Sequence, residues 1–184
     1  MSKIAKRVLA ISEETKIILN AEEIKVQGPK VSLTQKIPFQ VEVIQQGNVL
    51  LTQTKNSGTS ALTGTINSLI FNMLKGVKSD GGYEKKLEVK GVGYKVLLQE
   101  KEKKRYLELS LGFSHLVKLD IPTNLEVNCS NNKIVIWGAD KQQVGWFAAK
   151  IRDFRPPSIY KKDRGIYSEE DKDIKLKAVK TANK

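Results

Sequence analysis

Apolar and polar residues alternate along much of this chain, and the alternation predicts strands. Between residues 85 and 98 the apolar set first falls on odd positions, Leu87 and Val89, and then on even ones, Val92, Tyr94, Val96 and Leu98. Side chains of a strand point to opposite faces in turn, so such a flip needs one extra residue, and Gly91-Val-Gly93 predicts a β-bulge there. Leu107, Leu109 and Leu111, then Val117, Leu119 and Ile121, all lie on odd positions and predict half-buried antiparallel strands. The charged run Glu100-Lys-Glu-Lys-Lys-Arg105 reads as a solvated hairpin connection before them. Another strand pair, around Leu125 to Val127 and Ile134 to Ile136, is separated by Ser130-Asn131-Asn132, small polar residues that suit a turn.

After Gly138 the period changes. Val144, Phe147, Ala148, Ile151 and Phe154 share one face of a helix spanning 141–154, with Asp140 as its N-cap. Strands followed by a covering helix make an α+β layer. The first half repeats the plan: Ile37-Pro-Phe-Gln-Val-Glu-Val43 matches Ile121-Pro-Thr-Asn-Leu-Glu-Val127, and Asn48, Leu50 and Thr52 fall where Asn132, Ile134 and Ile136 stand. A helical stripe of Leu62, Ile66, Leu69, Ile70 and Met73 follows the first copy. A rival alignment pairs Ile11, Ile17, Ile24, Val26 and Gly28 with Ile121, Val127, Ile134, Ile136 and Gly138. The first is preferred because it carries the helix with the strands. The expected fold class is therefore α+β with two similar duplicated domains, each an antiparallel sheet covered by one main helix. Their expected extents are 1–80 and 83–167, joined near Lys78-Ser-Asp-Gly-Gly82, with a charged tail over 168–184. That tail has too few apolar residues to dock firmly and is expected to move unless a partner orders it.

Composition narrows the function. The chain of 184 residues is 40% apolar, enough for a packed core, and carries 32 Lys plus Arg against 20 Asp plus Glu, a formal charge of +12. An excess of that size points to a polyanionic partner, with nucleic acid favoured over an acidic membrane or protein. No segment approaches the roughly 20 apolar residues of a membrane span, and the N-terminal residues lack a secretory core, so the protein is expected to stay in the compartment where it is made. One cysteine, Cys129, and one histidine, His115, cannot build a disulfide or a Cys/His zinc site within a single chain, and no metal or cofactor is expected. Ser114 and His115 adjoin in sequence, but neighbouring strand positions face opposite ways, so a catalytic pair is not expected. The acidic pairs Glu13-Glu14, Glu22-Glu23 and Glu169-Glu170 lie in polar surroundings and read as solvated surface.

The segment 150–164 differs from the rest. Lys150, Arg152 and Arg155 sit at or near a helix end, where cations complement the dipole without further purpose. Pro156 and Pro157 stop the helix. Tyr160, Lys161, Lys162 and Arg164 then follow with almost nothing apolar to bury, as an extended basic strand that can lie along phosphates while its aromatic ring stacks on a base. Trp146 lies off the helix's apolar stripe and is expected to pack against the chain after Pro157. Trp137, opposite Ile134 and Ile136, could cover that contact.

Several motifs in order resemble one family. They are Lys85-Lys-Leu-Glu-Val-Lys-Gly-Val-Gly-Tyr-Lys95, Leu109-Ser-Leu-Gly-Phe-Ser-His-Leu-Val117, Gly138-Ala-Asp-Lys-Gln-Gln-Val-Gly145 and Ala148-Ala-Lys-Ile-Arg-Asp-Phe-Arg-Pro-Pro157, running on to Tyr160-Lys161. Together they resemble the sixth protein of the large ribosomal subunit, in its bacterial or organellar form, over nearly the whole chain. The resemblance implies two duplicated α+β domains, direct binding to large-subunit rRNA near the sarcin-ricin loop and the stalk base, other large-subunit proteins as neighbours and translation factors nearby. It implies no catalysis, no homo-oligomer, and a cytoplasmic location within the ribosome. It also places Lys95 and Lys141, with Lys150, Arg152, Arg155, Tyr160, Lys161, Lys162 and Arg164, as candidate rRNA contacts. The family's closing signature departs here: Lys162-Asp-Arg-Gly-Ile166 is one residue longer and lacks the first glycine. A free RNA chaperone or regulatory RNA-binding module is the alternative reading.

Overall fold

The computed structural model describes residues 7–20, 22–54, 60–78, 81–101, 104–158 and 164–173. The chain divides into two compact units, Met1–Tyr83 with Ala139–Lys141, and Glu84–Gly138 with Gln142–Lys184.

The first unit runs β1 (Leu9–Ala10), β2 (Lys16–Leu19), β3 (Glu23–Gln27), β4 (Ser32–Lys36), β5 (Val41–Gln46), β6 (Val49–Thr54) and α1 (Ser60–Val77). The strands form two antiparallel sheets, in the orders β1-β6-β5 and β2-β3-β4. Helix α1 has the spacing an amphipathic helix needs: Thr63, Ile66, Ile70, Met73, Leu74 and Val77 are buried, and Lys75 in its last turn complements the dipole. The buried stripe begins at Thr63, so Leu62, expected on it, is exposed instead, and Leu69 is half-buried. These side chains meet Leu9, Ile24, Val26, Val41 and Leu50 in one core. Burying a residue such as Ile70 completely contributes roughly 1.5–3 kcal/mol.

In the second unit β7 (Tyr83–Lys90), β8 (Lys95–Lys101), β9 (Lys104–Ser110), β10 (Val117–Asp120), β11 (Leu125–Ser130) and β12 (Lys133–Gly138) precede α2 (Lys141–Asp153). A last strand, β13 (Gly165–Ser168), and a 3₁₀ turn at Glu169–Asp173 follow. The sheets are ordered β10-β9-β8 and β11-β12-β7-β13. The odd-position rule holds: Leu107, Leu109 and Leu111 are fully buried, and Leu119 and Ile121 nearly so. Helix α2 buries Val144, Phe147, Ala148 and Ile151 as its spacing requires, with Phe154 half-buried just past its end.

The units share one design, and pairing register chooses between the two sequence alignments. Val43 stands opposite Thr52 as Val127 stands opposite Ile136, and each hairpin leads into its unit's helix. In each unit the hairpin's second strand also neighbours the unit's first strand, β1 on β6 and β7 on β12. The rival alignment matches a hairpin of the same spacing, with Ile17 opposite Val26, but that hairpin belongs to the β2-β3-β4 sheet, the counterpart of β8-β9-β10. Both long hairpins turn through left-handed residues: Gly47 at φ 58° in one, Asn131 and Asn132 at 46° and 62° in the other. Glycine and asparagine accept that conformation most readily, which is why these residues stand there.

Two expectations are corrected. Gly91-Val-Gly93 is not a bulge within one strand but a turn between β7 and β8, which lie in different sheets. The register flips because the chain changes sheets, and Val92 at its tip is fully exposed. The charged stretch from Ser168, expected to lie free, is docked as far as Asp171, since Ser168 ends β13, a 3₁₀ turn follows, and Asp171 is 8% exposed. Residues 174–184 lie outside the described residues.

Candidate nucleic-acid interface

The turn after β7 fixes a tyrosine. Tyr94 donates its backbone N–H to the Gly91 carbonyl at 3.3 Å, and its own carbonyl accepts from Asn132 Nδ2 at 3.1 Å. The residue is only 5% exposed, and its ring lies against two glycines. A Cβ on Gly91 would come within 2.5 Å of the ring, and one on Gly112, at φ 74°, within 3.1 Å. A side chain at Gly91 would displace the ring and one at Gly112 would crowd it, so the glycines of the two motifs have a steric task in common.

Two cations converge on that phenol. Arg155 donates Nε to the Tyr94 hydroxyl at 3.2 Å, and Arg164 donates Nε to the same oxygen at 3.4 Å, a longer and weaker contact. Burial acts to raise the phenol's pKa, and the two guanidiniums outweigh it, holding Tyr94 below the ordinary tyrosine value. Among the described residues neither arginine has a carboxylate within ion-pair distance.

The backbone explains how residues nine apart in sequence come together. Ile166 N–H donates to the Arg155 carbonyl at 2.8 Å and Ser158 N–H to the Arg164 carbonyl at 3.0 Å, lacing the base of a loop. Gly165 permits this close approach: at φ 127°, its Cβ would lie 2.6 Å from the Pro156 oxygen and 2.9 Å from the Pro157 Cα. Beyond it, β13 pairs with β7, Ile166 opposite Val89, and Ile166 is fully buried. Tyr160, Lys161 and Lys162, expected to contact RNA, lie outside the described residues. Arg164 is not part of a free extended strand; it anchors the returning limb of the loop.

The remaining candidates separate. Lys95 opens β8 next to Tyr94 and is exposed, and Lys150 is exposed on α2. Lys141 groups with the first unit, its ammonium 5.7 Å from the Tyr83 ring centroid. Arg152 has a protein partner: Nη2 donates to Asp171 Oδ1 at 2.7 Å, while Asp171 Oδ2 accepts from the Ser168 backbone N–H at 2.9 Å and hydroxyl at 3.0 Å. Lys85 pairs with Glu170 beside it. This polar cluster docks the 3₁₀ turn without apolar residues, which composition does not reveal.

Sequence reasoning placed a break between strands at Leu111-Gly-Phe-Ser-His-Leu116 but gave Phe113 no part in the site. Gly112 lets this loop between β9 and β10 turn, and Phe113, Ser114, His115 and Leu116 all project outward. The Phe113 and His115 rings are near-parallel, with centroids 6.0 Å apart, and the Arg155 guanidinium carbon lies 5.3 Å from the Phe113 ring centre. The one legible signal was an aromatic side chain between a glycine and polar residues where a buried strand should have ended. Trp146 also departs from expectation: it is 59% exposed, with the Lys150 ammonium 5.0 Å from its ring, rather than packed under the chain after Pro157. Trp137 is 37% exposed.

Catalytic chemistry finds little support. Ser114 and His115 both face solvent, and among the described residues no group of three or more His, Cys, Asp and Glu could hold a metal. Burial pushes the Cys129 thiol up to about 11, so it stays protonated near neutrality and is a poor nucleophile. No described helix is long and apolar enough to cross a membrane.

Comparison with known proteins adds an independent finding. A family model described as Ribosomal protein L6 matches residues 90–164, a span that holds the Tyr94, Arg155 and Arg164 cluster. The Large ribosomal subunit protein uL6 of Xanthomonas campestris pv. campestris (strain B100) is 40% identical over 162 residues, 88% of this chain and 89% of its own length. Its namesake in Thioalkalivibrio sulfidiphilus is 38% identical over 183 residues, 98% of this chain and 99% of its own. The one from Halorhodospira halophila is 38% identical over 173 residues, covering 92% and 94%.

Proposed function

Since the chain belongs to the ribosomal protein L6 family, we propose that it serves as a structural, non-enzymatic constituent of the large ribosomal subunit that binds rRNA directly through its second unit. The contact lies near the sarcin-ricin loop and the stalk base, beside other large-subunit proteins and within reach of docking translation factors. The observation that carries the reading is the pair of guanidiniums gathered at Tyr94, positive groups fixed by the fold without a carboxylate partner among the described residues. Phosphate is the ligand such groups serve best, because a planar guanidinium donates two parallel hydrogen bonds to it. Tyr160, Lys161 and Lys162 lie in sequence between Ser158 and Arg164, whose backbones are bonded to each other at this corner. Lys95 and Lys150 add positive charge, whereas Arg152, engaged by Asp171, contributes least.

Sedimentation of cell extract tests the assignment. The tagged chain is expected to travel with the large subunit and to stay there through a moderate salt wash. A stable free pool carrying assorted RNA would instead favour an RNA chaperone. Binding of the purified chain to large-subunit rRNA should weaken with salt, log K falling with log salt at a slope of roughly −0.7 to −0.9 per phosphate neutralised. Salt-insensitive binding would remove the basis for phosphate contact.

A further inference from the structure

We propose that the loop between β9 and β10 forms, with Arg155 and Arg164, a receptor for one unpaired RNA nucleotide, the base stacking on the Phe113 and His115 rings and the phosphate held by the guanidiniums. The inference rests on the rRNA-binding reading above and assigns to it a base contact that charge alone does not supply.

The parts adjoin in an unbroken series. Arg164 and Arg155 share the Tyr94 hydroxyl, Arg155 lies over Phe113, and Phe113 is near-parallel to His115. Gly112, which lets the loop turn, also borders the Tyr94 ring, so the aromatic loop and the arginine cluster are held by one side chain. Neither ring is part of the buried core. Phe113 is 40% exposed and the neighbouring Leu116 51%, while the packing of this corner is carried by Leu111 at 0%. An exposed aromatic ring with no core to fill loses free energy to water, and that loss is recovered when a flat π surface covers it.

The charge selects the partner. A protein neighbour docking on Phe113 and Leu116 would need to tolerate two fixed cations lacking carboxylate partners among the described residues, whereas a nucleotide supplies both a flat base and the anion. A paired base inside an A-form helix keeps its faces stacked on its neighbours. The nucleotide must therefore be looped out, bulged or terminal.

Replacing Phe113 tests this with the full chain and protein-free large-subunit rRNA. F113A should weaken binding roughly 5- to 150-fold, the range for losing one base stack, while leaving the salt slope as it was, because no phosphate contact is removed. F113W should restore binding, and F113L should behave like F113A, since it keeps apolar bulk without a π face. Circular dichroism separates misfolding from loss of contact, and ultraviolet crosslinking of the wild-type chain should place RNA on the peptide containing residues 112–116. If F113A binds as tightly as wild type while both keep their salt dependence, the nucleotide receptor is wrong and the rRNA-binding reading stands. If F113L binds this rRNA like wild type, apolar bulk suffices where a π face was claimed, and the proposal also falls. If wild type itself shows no salt-dependent binding, the underlying reading fails first.

Discussion

The two units begin alike and finish differently. Each folds a long hairpin of identical register and follows it with a helix, so Val43 and Thr52 in one stand where Val127 and Ile136 stand in the other. After the second helix, however, the chain passes Pro156-Pro157 and adds β13 beside β7 as the fourth strand of its sheet. Arg155 precedes that addition and Arg164 lies within it, and the two meet on the Tyr94 hydroxyl. Duplication supplied a scaffold, and the extension of one copy turned it into a charged site. Its most constrained point is Gly165, so Gly165→Ala should cost more than any exchange between the shared hairpins. With a Cβ 2.6 Å from the Pro156 oxygen and a φ of 127°, strain and overpacking together should cost about 3 kcal/mol. The loss should appear in chemical denaturation and as early hydrogen exchange at Ile166, whose N–H is bonded to Arg155. Undiminished protection there would mean that β13 is not what holds the loop.

The matching hairpins allow a reciprocal exchange. Thr52 is 7% exposed, and its hydroxyl finds no hydrogen-bond partner among the described residues, while Ile136 at the equivalent position is fully buried. A buried hydroxyl without a partner costs more than an apolar group of the same size. Ile136→Thr should therefore destabilise the protein by about 2 kcal/mol, losing apolar burial and gaining an unpaired hydroxyl. Thr52→Val should stabilise it by about 1 kcal/mol. Urea denaturation of both variants reads the two signs, and a loss of stability in Thr52→Val would show that the hydroxyl has a partner, such as an ordered water, or that the two copies pack differently at this position.

What the sequence made legible was whatever repeats along one element. Alternation in β9 and β10, the α2 stripe and the offset between the two hairpins are periodic signals, and the fold reproduces them. What it concealed depended on contacts between distant residues. A one-residue register flip at Gly91-Val-Gly93 reads the same in a bulge as in a turn between sheets, and only the pairing of β7 with β13 and β8 with β9 tells them apart. The docking of 168–171 escaped notice because a count of apolar residues ignores one buried carboxylate with Arg152 and Ser168 as donors. At the site, the set of cations was readable as charge, but Tyr94 was read only as a strand residue. Its part emerges when Arg155 and Arg164, brought together by Gly165, meet on its hydroxyl. Trp146 shows the same limit from the other side, for a helical wheel tells which way a residue points without telling what covers it.

The smallest effect, one invisible near neutral pH, is also the most direct comparison of the two electrostatic environments. Tyr83, assigned to the first unit, has its pKa raised by burial and by the nearby Asp140 carboxylate, while Tyr94 in the second is buried too but lowered by its arginines. Both are protonated at pH 7, so neither Tyr83→Phe nor Tyr94→Phe should alter the pH dependence of stability there. In the alkaline range their signs oppose. Tyr94, ionising earlier in the folded state, adds stability as pH rises from its lowered value; that contribution is complete above the unfolded value of about 10 and is lost as pH falls through the folded pKa. The raised pKa of Tyr83 does the reverse: its contribution is full below about 10 and disappears as pH rises through the folded pKa. Following tyrosinate absorbance across the five tyrosines should show Tyr94→Phe removing the earliest phase and Tyr83→Phe a late one. If the earliest phase survives in Tyr94→Phe, the guanidiniums do not rest on that phenol in solution, and the cation cluster that distinguishes the second unit from the first would have to be held in some other way.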